Sequence, residues 1–209
     1  MTVVEALAAF SVAAGLLTLT PGLDTALVLR TAASEGPRCA AFAAAGICLG
    51  TLGWGAIVAL GLGALLVASR LAYDILKWAG AAYLVWLGLQ LILKPRARFE
   101  LGAAANGRPR SGLGWLAKGA LNNLLNPKAG VFYVSFLPQF IPQGVPAGPF
   151  AFLLASIHTV FGVIFFTVLI GATRPIARFL QRATVVRWLD RLTGGVFLGF
   201  GVRLALDRR

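Results

Sequence analysis

Charged residues are scarce in this sequence. They make up 12% of the 209 residues, whereas hydrophobic residues make up 58%, and a soluble globular domain carries about 25% charged residues. So large an apolar fraction excludes an ordinary soluble domain, which cannot hide it from water, and it also excludes a disordered chain. We therefore expect an integral membrane protein that lies in a lipid bilayer.

Residues that bind metals or carry catalytic chemistry are scarce as well. The seven acidic residues occur one at a time, and there are one histidine and two cysteines. Neither a cluster with metal-ligand spacing nor a phosphate-binding G-x-x-x-x-G-K-[ST] motif occurs. We therefore expect no metal, no cofactor and no enzymatic activity. Cys39 and Cys48 lie in an uncharged run, which favours small apolar core residues over a disulfide.

Long apolar runs are what the sequence has instead. A helix of about 20 residues crosses the hydrocarbon of a bilayer, and six runs are candidates: about Val3–Leu29, within Cys39–Ser69, and about Leu71–Leu93, Leu113–Leu137, Phe150–Ala172 and Trp188–Leu206. The predicted fold is therefore an all-α integral membrane protein with six transmembrane helices, forming one polytopic domain over residues 1–209. Five spans are the alternative, with the first run or the basic linker 174–191 lying in the membrane interface.

The basic residues predict the orientation of the chain. A net charge of +12 would suggest nucleic acid in a soluble protein, but here the basic residues fall between apolar runs, so we expect no nucleic-acid partner. They concentrate in a loop at about 95–112 and in the linker after the fifth span, whereas the proline-rich loop after the fourth span has none. Because basic loops face the cytoplasm, both termini are predicted to lie outside.

Two proline breaks suggest an internal repeat. Thr20-Pro21-Gly22 interrupts the first span and Asn126-Pro127 interrupts the fourth. The halves at about 1–94 and 113–209 would therefore each open with a broken helix. Because each half has three spans, the second half would be inverted relative to the first. Such inverted repeats are typical of secondary transporters, whose site lies near the midplane where the breaks meet.

Ionisable side chains accompany both breaks. We expect Thr20 and Asn126 to be N-caps of half-helices, which places Asp24 in one first turn and Lys128 in the other. A charge at the centre of a span costs at least about 2.5–3.5 kcal/mol, which favours a functional role. Helix capping is the alternative for Asp24. Lys128 is disfavoured at a helix start and needs an anionic neighbour, either Asp24 or the carboxylate of a substrate.

Other polar and small residues have two interpretations each. Asn122 and Asn126 share a helix face with Asn123 beside them, and these three amides would bind the ends of a zwitterion or hydrogen-bond between helices. His158, the single histidine, would relay a proton or be a hydrogen-bonded residue of the bundle. The spacings Gly46/Gly50 and Gly195/Gly199 favour close helix packing, and such glycine faces suggest a homodimer.

Several segments resemble one family. The run from Gly119 to Lys128, followed by Phe136-Leu137-Pro138-Gln139-Phe140, resembles the NPK signature of the LysE-type amino-acid exporters, which include the homoserine/threonine exporter branch. Thr20-Pro21-Gly22-Leu23-Asp24 is similar to that family's first-helix PGPD-type motif, with Leu23 where a proline is common. The resemblance implies a multi-pass exporter of amino acids or their derivatives in the bacterial inner membrane, driven by the proton gradient through antiport. The functional residues that it implies are Pro21, Asp24, Asn122, Asn126, Pro127 and Lys128.

The predicted mechanism follows from these residues. Lys128 would meet the carboxylate of the amino-acid substrate, and Asp24 would meet its ammonium group or pair with Lys128 when the site is empty. Asp24 is also a candidate carrier of the coupling proton. Two other classes of function stay open: a membrane-embedded enzyme acting on a lipid-linked substrate, and a non-transporting assembly partner of another membrane protein.

Overall fold

Helices make up nearly all of the chain that the structure describes. The computed structural model describes residues 1–68, 70–95, 111–180 and 182–206, and these ranges contain no strand. The α-helices within them are α1 (Val3–Leu19), α2 (Leu23–Ser34), α3 (Pro37–Ala68), α4 (Arg70–Leu93), α5 (Gly112–Leu124), α6 (Pro127–Val131), α7 (Ala147–Gly171), α8 (Thr173–Leu180) and α9 (Ala183–Leu206). A π-helical turn, Phe132–Phe136, and a 3₁₀ turn, Leu137–Phe140, follow α6. The predicted all-α fold is confirmed here. Residues 96–110, most of the predicted cytoplasmic loop, lie outside the described residues.

Two of the described helices are long and apolar enough to cross a membrane by themselves. They are Pro37–Gly61 within α3 and Ala147–Gly171, which is α7. The pair α1 and α2 also qualifies if it counts as one span, and it bends by 48° at its break. Along α7 the side chains of Val160, Ile164 and Val168 are exposed, as expected for a helix face that contacts lipid. The membrane-protein class agrees with the prediction, and the number of six spans stays a prediction.

The first helix break lies where the sequence predicts it, but its capping differs. The N-cap of α2 is Gly22, and Thr20 instead ends α1. The backbone N–H and the hydroxyl of Thr20 both donate to the carbonyl of Leu16, at 3.0 and 2.7 Å. The Thr20 hydroxyl also hydrogen-bonds Thr193 of α9. The prediction that Thr20 is an N-cap is wrong, because its side chain is used at the end of α1 and in holding α1 to α9.

The second helix break follows the prediction. Asn126 is the N-cap of α6, and its side-chain oxygen accepts a hydrogen bond from the backbone N–H of Lys128 at 3.1 Å. Pro127 occupies the first helical position, where its missing N–H leaves no hydrogen bond unmade. The helical run ends at Phe140, just before Pro142, and α7 begins only at Ala147. Both broken segments therefore contain two short helices that meet inside the bundle.

Glycines let the first half approach the second closely. A methyl group at Gly46 of α3 would overlap the backbone carbonyl of Leu116 in α5, and one at Gly119 of α5 would overlap that of Ala43 in α3. A methyl group at Gly50 would lie 2.9 Å from the side chain of Asn123. The predicted packing role of Gly46 and Gly50 is confirmed, and this close approach brings α5 and its asparagines to the middle of the bundle.

The second predicted glycine pair does not pack inside the chain. Gly195 and Gly199 are exposed, and a methyl group at either would meet nothing within 4 Å. Gly194 and Gly201 of the same helix instead contact α4. Gly194 and Gly201 are seven residues apart and therefore share one face of α9. Gly195 and Gly199 lie about 100° or more around the helix from that face. The close packing predicted for Gly195 and Gly199 is therefore not made against another helix of the described residues.

An aromatic cluster anchors the segment that follows α6. Phe136 of the π-helical turn packs against Phe200 of α9, with ring centroids 4.5 Å apart, and against Phe140 at 4.9 Å. Phe10 of α1 contacts Phe132 at 5.9 Å and Phe140 at 5.5 Å. All but Phe200 of these rings are almost completely buried. The cluster therefore holds α1, α9 and the segment after α6 together and fixes the direction in which that segment leaves the second break.

Candidate substrate-binding site

The two helix breaks open onto one cavity. It has a volume of about 70 Å³, enough for several water molecules or a small polar ligand. The end of α1 and the start of α2 form one side of it, and α5 and α6 form another. Helices α3 and α7 and Tyr133 of the π-helical turn complete the wall. Four of the predicted site and helix-break residues line it, namely Gly22, Asp24, Asn126 and Lys128.

Three asparagine amides surround the carboxylate of Asp24. Asn122 donates to Oδ1 at 2.7 Å, and Asn123 and Asn126 donate to Oδ2 at 2.9 and 3.3 Å. Hydrogen bonds to an ionised group are stronger than neutral ones, so these amides stabilise a carboxylate within the bundle. The structure therefore brings together Asp24, Asn122 and Asn126 with Asn123, the third amide of the same run.

Local structure explains how three asparagines reach one carboxylate. Asn122 and Asn123 lie in the last turn of α5, and Asn126 follows after the helix has ended at Leu124. Asp24 lies in the first turn of α2 across from them. Within α5, Asn122 and Asn123 point about 100° apart, and they donate to different oxygens of the one carboxylate. Asn126 lies beyond the helix end and donates to Oδ2 as well.

Lys128 leaves its own helix and reaches the end of α1. Its ammonium nitrogen Nζ donates to the backbone carbonyls of Thr20 at 2.9 Å and Leu17 at 3.2 Å. These carbonyls belong to the C-terminal end of α1, where a cation is favourable by about 0.3–1 kcal/mol, and by up to about 2 kcal/mol when partly buried. Partners for Lys128 therefore include helix carbonyls, which the sequence did not predict.

Gly22 lies directly beside this ammonium group. A methyl group at Gly22 would lie 3.8 Å from Lys128 Nζ. Gly22 is also the N-cap of α2 and has no side-chain capping hydrogen bond. The backbone N–H groups at the start of a helix attract anions. The positive start of α2 and the ammonium group of Lys128 are therefore neighbours in the cavity. The carboxylate of Asp24 follows Gly22 by two positions in the sequence. Of the two prolines at the breaks, Pro21 is buried and Pro127 is exposed.

Sequence reasoning missed the pairing of Tyr133 with His158. The hydroxyl of Tyr133 and Nδ1 of His158 are 2.8 Å apart, and the two rings stack with centroids 5.7 Å apart. Both residues line the cavity, and Tyr133 is only 1% exposed. A tyrosine within an apolar span needs a partner for its hydroxyl, which is the signal that the sequence offered. His158 thus has the hydrogen-bonded place in the bundle that was one of its two interpretations.

Asn123 carries a further polar atom without a protein partner. Its side-chain oxygen Oδ1 is buried and accepts no hydrogen bond, although the residue is only 4% exposed. A buried polar atom left without a hydrogen bond costs about 1–3 kcal/mol. Sites that bind polar ligands tolerate such atoms because the ligand supplies the missing donor.

Comparisons with known proteins agree with this architecture. Residues 16–208 match the LysE type translocator family. The chain is 36% identical to an uncharacterised membrane protein of Vibrio cholerae over 94% of this chain and 95% of the relative. It is 32% identical to a homoserine/homoserine lactone efflux protein of Salmonella typhi over 96% of each chain, and 30% identical to a leucine efflux protein of Klebsiella pneumoniae over 94% of this chain and 92% of the relative. No solved structure is significantly similar.

These relatives define the class of protein. They are named as membrane and efflux proteins, and the apolar helices are consistent with a multi-pass protein of the bacterial inner membrane. The protein is a transporter and not an enzyme. The chain belongs to the LysE type translocator family, which it matches over residues 16–208.

Proposed function

We propose that this translocator exports amino acids by proton antiport and binds them in the cavity between Asp24 and Lys128. Export of amino acids is the function that its family and its efflux relatives support. The binding site is inferred from one observation: the carboxylate of Asp24 and the ammonium group of Lys128 line the same cavity, each beside a helix break. A zwitterionic amino acid carries the two opposite charges that such a site complements.

The charges assign an end of the substrate to each side of the cavity. The substrate carboxylate binds Lys128 Nζ and the N–H groups at the start of α2, beside Gly22. The substrate ammonium group binds Asp24, whose oxygens accept from three asparagine amides, and the unpartnered Oδ1 of Asn123 is a further acceptor nearby. Charge-assisted hydrogen bonds of this kind are worth about 1.5–3 kcal/mol each.

Antiport follows if the proton and the substrate compete for the same carboxylate. Asp24 holds either the substrate ammonium group or the coupling proton. If Asp24 releases the substrate only when it binds a proton, and releases the proton only when it binds substrate, the protein exchanges substrate for protons across the membrane. With Asp24 as the shared site, the inward flow of protons drives the outward flow of amino acid.

The proposed motion is alternating access between two inverted three-span halves. Helix α3 packs against α7, and α4 packs against α9. Helix α3 also packs against α5, and α7 packs against α1. Exchanging the two halves leaves the first two contacts unchanged and converts the α3–α5 contact into the α7–α1 contact, as expected for a repeat. The cavity lies at the junction of the halves, where rocking of one against the other opens it to either side.

Transport by purified protein in liposomes tests the proposed function. We expect a panel of labelled amino acids to show uptake of one class, faster by at least about tenfold when a proton gradient is imposed. A protonophore is the control, since it removes the gradient and leaves the protein unchanged. Flux that the gradient does not accelerate contradicts antiport, and no flux of any amino acid by folded protein contradicts the binding site. Flux without any partner protein also excludes the assembly-partner hypothesis.

We further propose that the exposed glycines Gly195 and Gly199 of α9 form the contact of a homodimer. Both are open to the outside of the bundle, and small residues four apart let two membrane helices approach closely. We expect Gly199→Leu to lower the dimer fraction in lipid nanodiscs by about tenfold, measured by single-molecule photobleaching. Gly171→Leu, at an equally open glycine of α7, is the matched control. An unchanged dimer fraction in Gly199→Leu contradicts this interface.

A further inference from the structure

The cavity has a polar part and an apolar part, and the elements that form them differ. The charged groups and the amides come from the two helix breaks, which carry Asp24, Lys128, Asn123 and Asn126. The apolar surface contributed by α3 and α7 is formed by Ile47, Cys48, Gly162 and Phe166, and the same two helices also contribute the uncharged polar residues Thr51, His158 and Thr159 to the lining. The charged ends of an amino acid account for the polar part. The apolar part is therefore left to face the side chain of the amino acid.

The apolar wall belongs to a rigid core. Ile47 is 2% exposed and Phe166 is 7% exposed, and both pack in a cluster with Leu29 and Leu169. Close-packed interiors resist changes of shape. In this conformation the wall therefore does not retreat to admit a larger group, and Cys48 and Gly162, which are not among the fully buried residues of the cluster, determine the space in front of it.

Gly162 is the smallest element of this wall. His158, Gly162 and Phe166 are four residues apart on α7 and all line the cavity. A methyl group at Gly162 would lie 3.6 Å from Cys48 Sγ and 3.9 Å from Phe166 Cε2, which are ordinary van der Waals contacts. Alanine at this position therefore fits without strain and takes up space between Cys48 and Phe166.

Charge further restricts the ligand. Among the lining residues that the structure describes, Asp24 carries the carboxylate and Lys128 the ammonium group. In the proposed function both are used by the ends of the amino acid. A charged substrate side chain would then be buried against the apolar wall without an opposite charge, which is strongly unfavourable.

We propose that Ile47, Cys48, Gly162 and Phe166 form the side-chain subsite of the transported amino acid, that this subsite selects uncharged side chains, and that the missing side chain of Gly162 sets their maximum size. The proposal rests on the proposed function, since it takes the two charged groups as already engaged. It assigns the choice among neutral amino acids to α3 and α7, away from both helix breaks.

Competition measurements in proteoliposomes test this subsite. Unlabelled glycine, alanine, leucine and lysine compete with a labelled substrate, and the half-inhibitory concentration of each is compared between wild type, Gly162→Ala and Gly162→Val. One methylene in an apolar pocket changes discrimination by about tenfold or more. We expect the ratio of the leucine value to the glycine value to rise at each step, by at least about tenfold in Gly162→Val. In wild type, lysine is expected to compete at least about tenfold more weakly than leucine.

Two further variants serve as a control and as a second test of the subsite. Gly171→Val, on the same helix but outside the cavity, is expected to leave the ratio unchanged. Cys48→Ala enlarges the subsite and is expected to lower the ratio, which keeps the proposal testable if Gly162→Val does not fold. An unchanged ratio in both Gly162→Ala and Cys48→Ala overturns the subsite, as does lysine competing as well as leucine. No flux of any amino acid by wild type would instead overturn the proposed function, and the subsite with it.

Discussion

Replacement of Lys128 by methionine is expected to abolish amino-acid export while the protein still inserts into the membrane. Methionine keeps an unbranched apolar side chain of similar length but removes the ammonium group. In the proposed mechanism this group binds the substrate carboxylate, and hydrogen bonds to a charged group are worth about 1.5–3 kcal/mol, which corresponds to a loss of about 10–150-fold in affinity for each bond. Substrate flux in proteoliposomes measures the loss.

Two controls separate substrate binding from a structural effect. Lys128 Nζ also binds the carbonyls of Leu17 and Thr20, so its loss weakens the end of α1 as well. Lys118→Met removes a lysine of the same segment that lies over the ring of Trp115, 5.0 Å from its centroid, and does not line the cavity. We expect Lys118→Met to transport normally, and both variants to elute as folded protein in detergent. Export by Lys128→Met at the wild-type rate contradicts the site.

The sequence predicted those parts of the site that depend on local chemistry. Proline cannot continue a helix hydrogen-bond ladder, so both breaks could be placed from the chain alone. Asn126 caps α6 as predicted, because an asparagine before a proline has a local partner in the N–H of Lys128. That a carboxylate inside an apolar run has a partner was also predicted, but the asparagines that donate to Asp24 from another run were not predicted as that partner.

Features that depend on packing between distant segments were not predictable in this way. Thr20 precedes a proline just as Asn126 does, yet its hydroxyl hydrogen-bonds the carbonyl of Leu16 in α1 and Thr193 of α9. The direction of Lys128 toward the end of α1 depends on where the first break meets the second. Likewise, the sequence does not distinguish Gly194 from Gly195, because the position of α4 decides which face of α9 packs.

Replacement of Asp24 by asparagine is expected to remove both substrate binding and proton coupling, lowering gradient-driven export by about 100-fold. Asparagine has almost the same shape but no charge and no proton to exchange. It also presents an NH₂ group where Asn122, Asn123 and Asn126 now donate to carboxylate oxygens, so at least one amide loses its acceptor. An unsatisfied buried donor costs about 1–3 kcal/mol, in addition to the lost attraction for the substrate ammonium group.

The assay that isolates the coupling role compares two driving forces in the same liposomes. One is an imposed proton gradient, and the other is a concentration gradient of the amino acid with no proton gradient. If Asp24 carries the proton, residual flux in Asp24→Asn depends on the amino-acid gradient and is unaffected by the proton gradient. Glu5→Gln, an exposed carboxylate at the start of α1, is the matched control and is expected to stay fully coupled. Acceleration of Asp24→Asn by the proton gradient to the wild-type extent would assign the coupling proton to another residue of the cavity.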